Sequence, residues 1–252
     1  MLDKRRDFMN KKNLLISFFL VLVVFLATQS LSFANSNLKD GIDAYNSKNY
    51  KEAYSIFSQL SKKGDSQAQY ILGTMYLDGL GVKKDYATAY NFFEESAKQN
   101  NSFGMYGIGY LYKHGLGVKR DLSKTLYWWE KSAQLNNKDA LYGLGFLYSL
   151  GQGVELNYKK SFDYWQKAAY LGSSYAQYRL GLLYYEGDIE KNYIDAYAWL
   201  DVAKRFSDPN EEIYDLAAHH LNIVKYKLTS NQISQAKDLA DKLYNQIKNN
   251  NQ

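Results

Sequence analysis

From residue 65 onward the apolar and polar positions of this chain repeat in blocks of 36. Four segments share one pattern: Ala68-Gln-Tyr-Ile-Leu-Gly73-Thr-Met-Tyr76, Gly104-Met-Tyr-Gly-Ile-Gly109-Tyr-Leu-Tyr112, Ala140-Leu-Tyr-Gly-Leu-Gly145-Phe-Leu-Tyr148 and Ala176-Gln-Tyr-Arg-Leu-Gly181-Leu-Leu-Tyr184. A fixed period of this size is the mark of a repeat array, and the spacing within each segment predicts a helix. Behind each helix comes a loop: Gly79-Leu-Gly81-Val82, Gly115-Leu-Gly117-Val118, Gly151-Gln-Gly153-Val154 and a shortened Gly187-Asp-Ile-Glu. Glycine stops a helix there because it takes φ > 0 without a Cβ penalty. Asp85, Asp121, Asn157 and Asn192 follow as predicted caps of a second helix. That helix alternates a small position (Ala89, Thr125, Ser161, Ala196) with a large one (Phe93, Trp129, Trp165, Leu200), as interlocking helices require. It ends at Asn100, Asn136 or Gly172, residue types suited to a left-handed turn.

Gly64 falls in the same register, with Ala53 and Phe57 behind it, so a related helix pair over 38–64 opens the array around the tight turn Asn46-Ser-Lys-Asn49. Repeat units then span 65–100, 101–136, 137–172 and a degenerate 173–207. Gly73, Gly109, Gly145 and Gly181 sit mid-helix, where glycine costs about 1 kcal/mol relative to alanine. The expected gain is close approach of the two helix backbones in a unit. Beyond the repeats, Asp208-Pro209-Asn210 marks a break, Glu211 to Lys227 reads as helical, and Thr229-x-x-Gln232 has the form of a capping box. The last helix, from Ser230 to about Lys248, carries Ile233, Ala236, Leu239, Ala240 and Leu243 on one stripe. Residues 208–252 are expected to cover the exposed end of the array.

Ahead of the array, Leu14 to Ala27 is an unbroken apolar run, preceded by Lys11-Lys12 and followed by Ser32-Phe33-Ala34. This predicts a secretory signal over residues 1–34, cleaved after Ala34, rather than an anchor, since a spanning helix needs about 20 apolar residues. The sequence from Met9 has the shape of a bacterial leader by itself. The chain carries a formal charge of +5, and Lys4, Arg5, Arg6, Lys11 and Lys12 against Asp3 and Asp7 account for most of it. Without the leader the balance is nearly even, and no footprint for nucleic acid is expected. Cysteine is absent, which excludes disulfides, thiolate metal sites and a lipid-modified leader.

The motif Ala-x-x-x-Leu-Gly-x-x-Tyr, the Gly-x-Gly-Val loop, the Asp or Asn cap and the aromatic second helix together resemble the Sel-1-like repeat family over residues 65 to 206. That family is a branch of the tetratricopeptide-like proteins, and the opening pair, with Gly41, Ala53 and Phe57, is more similar to an ordinary tetratricopeptide unit. The resemblance implies an all-α solenoid, a superhelix of antiparallel helix pairs with capping helices. It also implies a role in binding a protein or peptide, as an exported adaptor or regulator in the bacterial envelope or in contact with host proteins. Some exported, cysteine-rich relatives are linked to β-lactam or peptidoglycan binding; this chain lacks their cysteines.

Candidate chemistry is sparse. His114 ends a first helix, and the adjacent His219 and His220 point about 100° apart, with Asp215 placed to pair with His219. The glycine loops follow helices rather than strands, so they read as turns and not as phosphate cradles. No nucleophile constellation stands out; neither an enzyme nor a cofactor is expected. Aromatic positions that recur in every unit are assigned to packing. Non-repeating residues on the outer stripe of each first helix are the candidate partner site: Phe103, Tyr110, Lys113, His114, Phe146, Tyr175, Leu182 and Tyr185. In tetratricopeptide-like arrays this stripe faces the concave groove. Its alternative fate is partial burial by neighbouring repeats, and the recurring Tyr70, Tyr106, Tyr142 and Tyr178 beside it are candidates for the core.

Overall fold

Between Ser66 and Phe206 every helix begins on a side chain that accepts from its free backbone N–H groups, and so does the helix Ser230–Asn250. The computed structural model describes residues 37–251, and among them the structure is twelve helices with no strand. They are α1 (residues 37–46), α2 (Tyr50–Lys62), α3 (Ser66–Asp78), α4 (Tyr86–Lys98), α5 (Ser102–His114) and α6 (Leu122–Gln134). There follow α7 (Lys138–Leu150), α8 (Tyr158–Tyr170), α9 (Ser174–Glu186), α10 (Tyr193–Phe206), α11 (Glu212–Lys225) and α12 (Ser230–Asn250). The expected leader and its cleavage site lie outside the described residues.

Asp85, Asp121, Asn157 and Asn192 cap α4, α6, α8 and α10 through their side-chain oxygens, as their spacing predicts. A second set, Asp65, Asn101, Asn137 and Ser173, does the same for α3, α5, α7 and α9. Each cap contributes about 1 kcal/mol. The far ends also follow the sequence. Gly79, Gly115, Gly151 and Gly187 close the first helices in the left-handed region, and Asn100 and Asn136 take φ of 59° and 58° after α4 and α6.

The chain divides into two compact units, one ending at Lys84 and the other beginning at Asp85. In the first, α2 packs on α3, and Ala53, Phe57, Leu72 and Met75 are fully buried or nearly so. A Cβ on Gly41 of α1 would lie 2.7 Å from the Phe57 ring, and the hydroxyls of Tyr54 and Tyr76 share a hydrogen bond of 3.0 Å.

In the second unit each helix from α4 to α10 packs on its neighbours in sequence. Here the mid-helix glycines show what they gain. A Cβ on Gly109 would come within 2.4 Å of the Trp129 indole, and one on Gly145 within 2.4 Å of Trp165. The space left by the missing Cβ therefore holds an aromatic side chain rather than a neighbouring backbone, which corrects the expectation from sequence. Each indole is further held by its N–H, which donates to the carbonyl of Tyr106 (3.1 Å) or Tyr142 (3.0 Å). Thr125 and Ser161 donate to the carbonyls of Gly109 and Gly145, so in these two units the small position supplies a hydroxyl as well as fitting by size. Two more glycines complete the seat. Gly143 of α7 would place a Cβ 2.6 Å from the far edge of Trp129, and Gly107 of α5 one 2.7 Å from Phe93. Trp129 is thus gripped by a glycine of its own repeat and a glycine of the next.

The end of the unit is closed by three helices. One side of α10, with Ala198, Trp199 and Val202, packs with Ala240, Leu243 and Ile247 of α12. The other, with Ala196, Tyr197, Leu200 and Ala203, packs with Ile213, Ala217 and Val224 of α11 and Ala236 of α12. Arg205 ties the corner together, bridging Asp201 and Asp241 at 2.6 Å each. Thr229 and Gln232 form the capping box that starts α12. Among the described residues no helix is long and apolar enough to cross a membrane.

Candidate functional site

The first helices α5, α7 and α9 have equal length and stand 36 residues apart, so positions of the same register come side by side. The structure joins part of the predicted stripe into one continuous surface. Lys113 reaches from α5 across to α7: its ammonium lies 5.4 Å from the Trp129 ring centre and 5.2 Å from that of Phe146. The guanidinium of Arg179 on α9 lies 5.7 Å from the same Phe146 ring. Phe146 is thereby shared by two cations, an arrangement favoured by the negative face of its π system. Tyr110 packs on His114, with ring centres 4.4 Å apart. Further along, Tyr175 meets Tyr142 at 5.8 Å, and Tyr142 in turn stacks on Trp165.

The remaining stripe residues are placed differently. Phe103 opens α5 with 43% of its surface exposed, and Tyr175 and Leu150 are comparably open, at 46% and 51%. Leu182 packs against the cluster built on Tyr178 and Ile213, so it is half-buried. Tyr185 makes its ring contact with Tyr193 of α10. Of the four recurring tyrosines, Tyr178 is buried, and its hydroxyl lies 3.2 Å from Nδ1 of His220. Tyr106 and Tyr142 stay half-exposed while stacking on the indoles. His220, rather than His219, is the histidine with an interior partner.

Arg179 was not on the predicted stripe. Its signal lay in the register, where Ile71, Gly107 and Gly143 occupy the equivalent positions and the fourth unit alone places a charge.

The electrostatics of this surface follow from burial and like charges. Burial pushes the Lys113 ammonium below its ordinary value. His114 is lowered by burial and by the charges of Lys113 and Arg120. Asp139, on the first turn of α7, is raised by burial, partly countered by Lys138. Glu186 at the end of α9 is raised by burial and by Asp188, against the opposing pull of Arg179 and His220. The surface can therefore hold a ligand through aromatic faces and two cations. Among the described residues no group of three histidine, aspartate or glutamate side chains could hold a metal ion.

The Sel1 repeat profile matches residues 66–101, 102–137, 138–173 and 174–204, more than half of the chain. No curated protein matches it. Among solved structures, a Sel1 repeat protein from Oxalobacter formigenes is 25% identical with a TM-score of 0.63, covering 81% of this chain and 99% of its own. The immunity protein Pa5087 from Pseudomonas aeruginosa is 24% identical with a TM-score of 0.57, covering 85% of this chain and 81% of its own; at that identity the likeness is one of fold. The protective antigen c5321 of uropathogenic Escherichia coli, which displays an SLR fold, is 28% identical with a TM-score of 0.48. The match takes in 79% of this chain but only 49% of the antigen's length.

Proposed function

We propose that this chain, which belongs to the Sel1 repeat family, is an exported protein-protein interaction scaffold that binds a peptide or partner protein along the face formed by α5, α7 and α9. The observation that carries this reading is the contrast between the two kinds of aromatic residue. Those that recur, Trp129 and Trp165, are buried against glycines of their own repeats, Gly109 and Gly145. Those that vary, Phe103, Phe146 and Tyr175, stand open or half-open on the first helices beside Lys113 and Arg179. Rigid aromatic surface next to fixed charge is what concentrates binding energy in protein interfaces. Export rests on Leu14 to Ala27 and on Ala34, and envelope function follows from export.

The test is site-specific photo-crosslinking from Phe103 and Tyr175 in the cell of origin, followed by mass spectrometry. A defined partner should appear, and Lys113→Glu with Tyr185→Glu should abolish it. Crosslinks that survive the double variant unchanged would reduce the array to a spacer. Turnover of peptidoglycan or a β-lactam by the purified chain, abolished by one side-chain change, would favour the enzymatic alternative. A fused reporter active only outside the cytosol tests export: its silence would remove the envelope from the reading.

A further inference from the structure

Resting on that reading of the face, we infer that the segment bound there is acidic: an extended peptide whose aspartate or glutamate sits between Lys113 and Arg179, with apolar side chains laid against Phe146 and Tyr110. Three observations lead to it. Lys113 and Arg179 come from different helices and converge on one ring, at 5.2 Å and 5.7 Å. Among the described residues neither forms an ion pair, and burial is the one influence that moves the Lys113 ammonium, with no carboxylate acting on it. Beside it on α5, His114 feels the like charges of Lys113 and Arg120.

A half-buried ammonium without a counter-charge has given up hydration and gained only ring contacts. A carboxylate arriving from a partner supplies the missing charge and makes a charge-assisted hydrogen bond in a partly desolvated setting. The same face argues against a polyanion such as nucleic acid. Glu186, which feels both Asp188 and Arg179, lies beside the cations and would repel a continuous run of phosphates, a smaller penalty for a single carboxylate. Phe103 and Tyr175, at the starts of α5 and α9, add open apolar surface to the same first helices, which suits an extended segment with apolar residues around its acid.

The test uses the whole purified chain, immobilised and exposed to a synthetic library of random nonapeptides whose retained fraction is sequenced. Aspartate and glutamate should be enriched at least about fivefold over asparagine and glutamine, and the enrichment should shrink in 0.5 M salt, roughly a Debye length of 4 Å. Lys113→Gln and Arg179→Gln should each remove most of it, and Lys113→Glu should turn it toward lysine and arginine; circular dichroism confirms that the variants remain helical. Retention without acidic preference, a preference that both variants leave intact, or no retained peptide would each overturn the inference. If crosslinks from the face persist while the library shows no acidic preference, only the charge of the partner has been misjudged. If the crosslinks vanish too, the reading of the face itself fails.

Discussion

A Cβ at Gly109 would have to share space with the indole of Trp129, 2.4 Å away, in a helix whose own propensity would welcome alanine. Sterics should win. Gly109→Ala is expected to destabilise the protein by about 1–3 kcal/mol in denaturant unfolding, and Trp129→Phe in the same chain should recover part of the loss by trimming the clashing five-membered ring. Thr125→Val keeps the shape but leaves the Gly109 carbonyl without its hydroxyl donor, an expected loss of about 1–2 kcal/mol by the same measurement. Asp139 carries a pH signature. Its folded pKa lies above the ordinary aspartate value because of burial, so near that pKa the folded chain holds more proton than the unfolded one. Stability from this group therefore rises as pH falls through the folded value and is lost above it. Asp139→Asn should be at least as stable as the parent at pH 7, and its advantage should shrink toward about pH 4. An advantage that grows on acidification would contradict the assignment.

Helix ends were the most legible elements, because they depend on short-range backbone chemistry. Asp85, Asp121, Asn157 and Asn192 announce caps by residue type alone, and Asn100, Asn136 and Gly172 announce left-handed turns. Asp121→Ala should accordingly cost about 1 kcal/mol, seen as a lower denaturant midpoint, since the Lys124 N–H loses its acceptor. Asn101 and Asn137 were less visible because each follows another asparagine already assigned to the turn. What the mid-helix glycines face could not be read from the chain, for the seat of Trp129 is made by two helices beyond its own. The candidate surface was legible as a stripe and incomplete as a site. Tyr110 pairs with His114 and Lys113 with Phe146, but Leu182 packs into the cluster around Tyr178 and Ile213 and Tyr185 turns toward Tyr193. Arg179 enters only because packing brings its guanidinium over a ring in the preceding repeat.

Across the unit that begins at Asp85, stability passes from each helix to the next until α10, which is enclosed by α9, α11 and α12. A chain ending at Leu228 would uncover Ala198, Trp199 and Val202. It should bind hydrophobic dyes strongly and associate in light scattering; a clean, dye-silent monomer would show that α12 is not a cap. The two-glycine grip on Trp129 reaches beyond the folded state to the history of the gene. Because the Trp129 indole is finished by the repeat that follows, an insertion or deletion of partial length between the two would part the ring from its second seat. At this junction the chain keeps the seat only if its length changes by a whole repeat in phase, the new copy bringing the glycine that completes its predecessor.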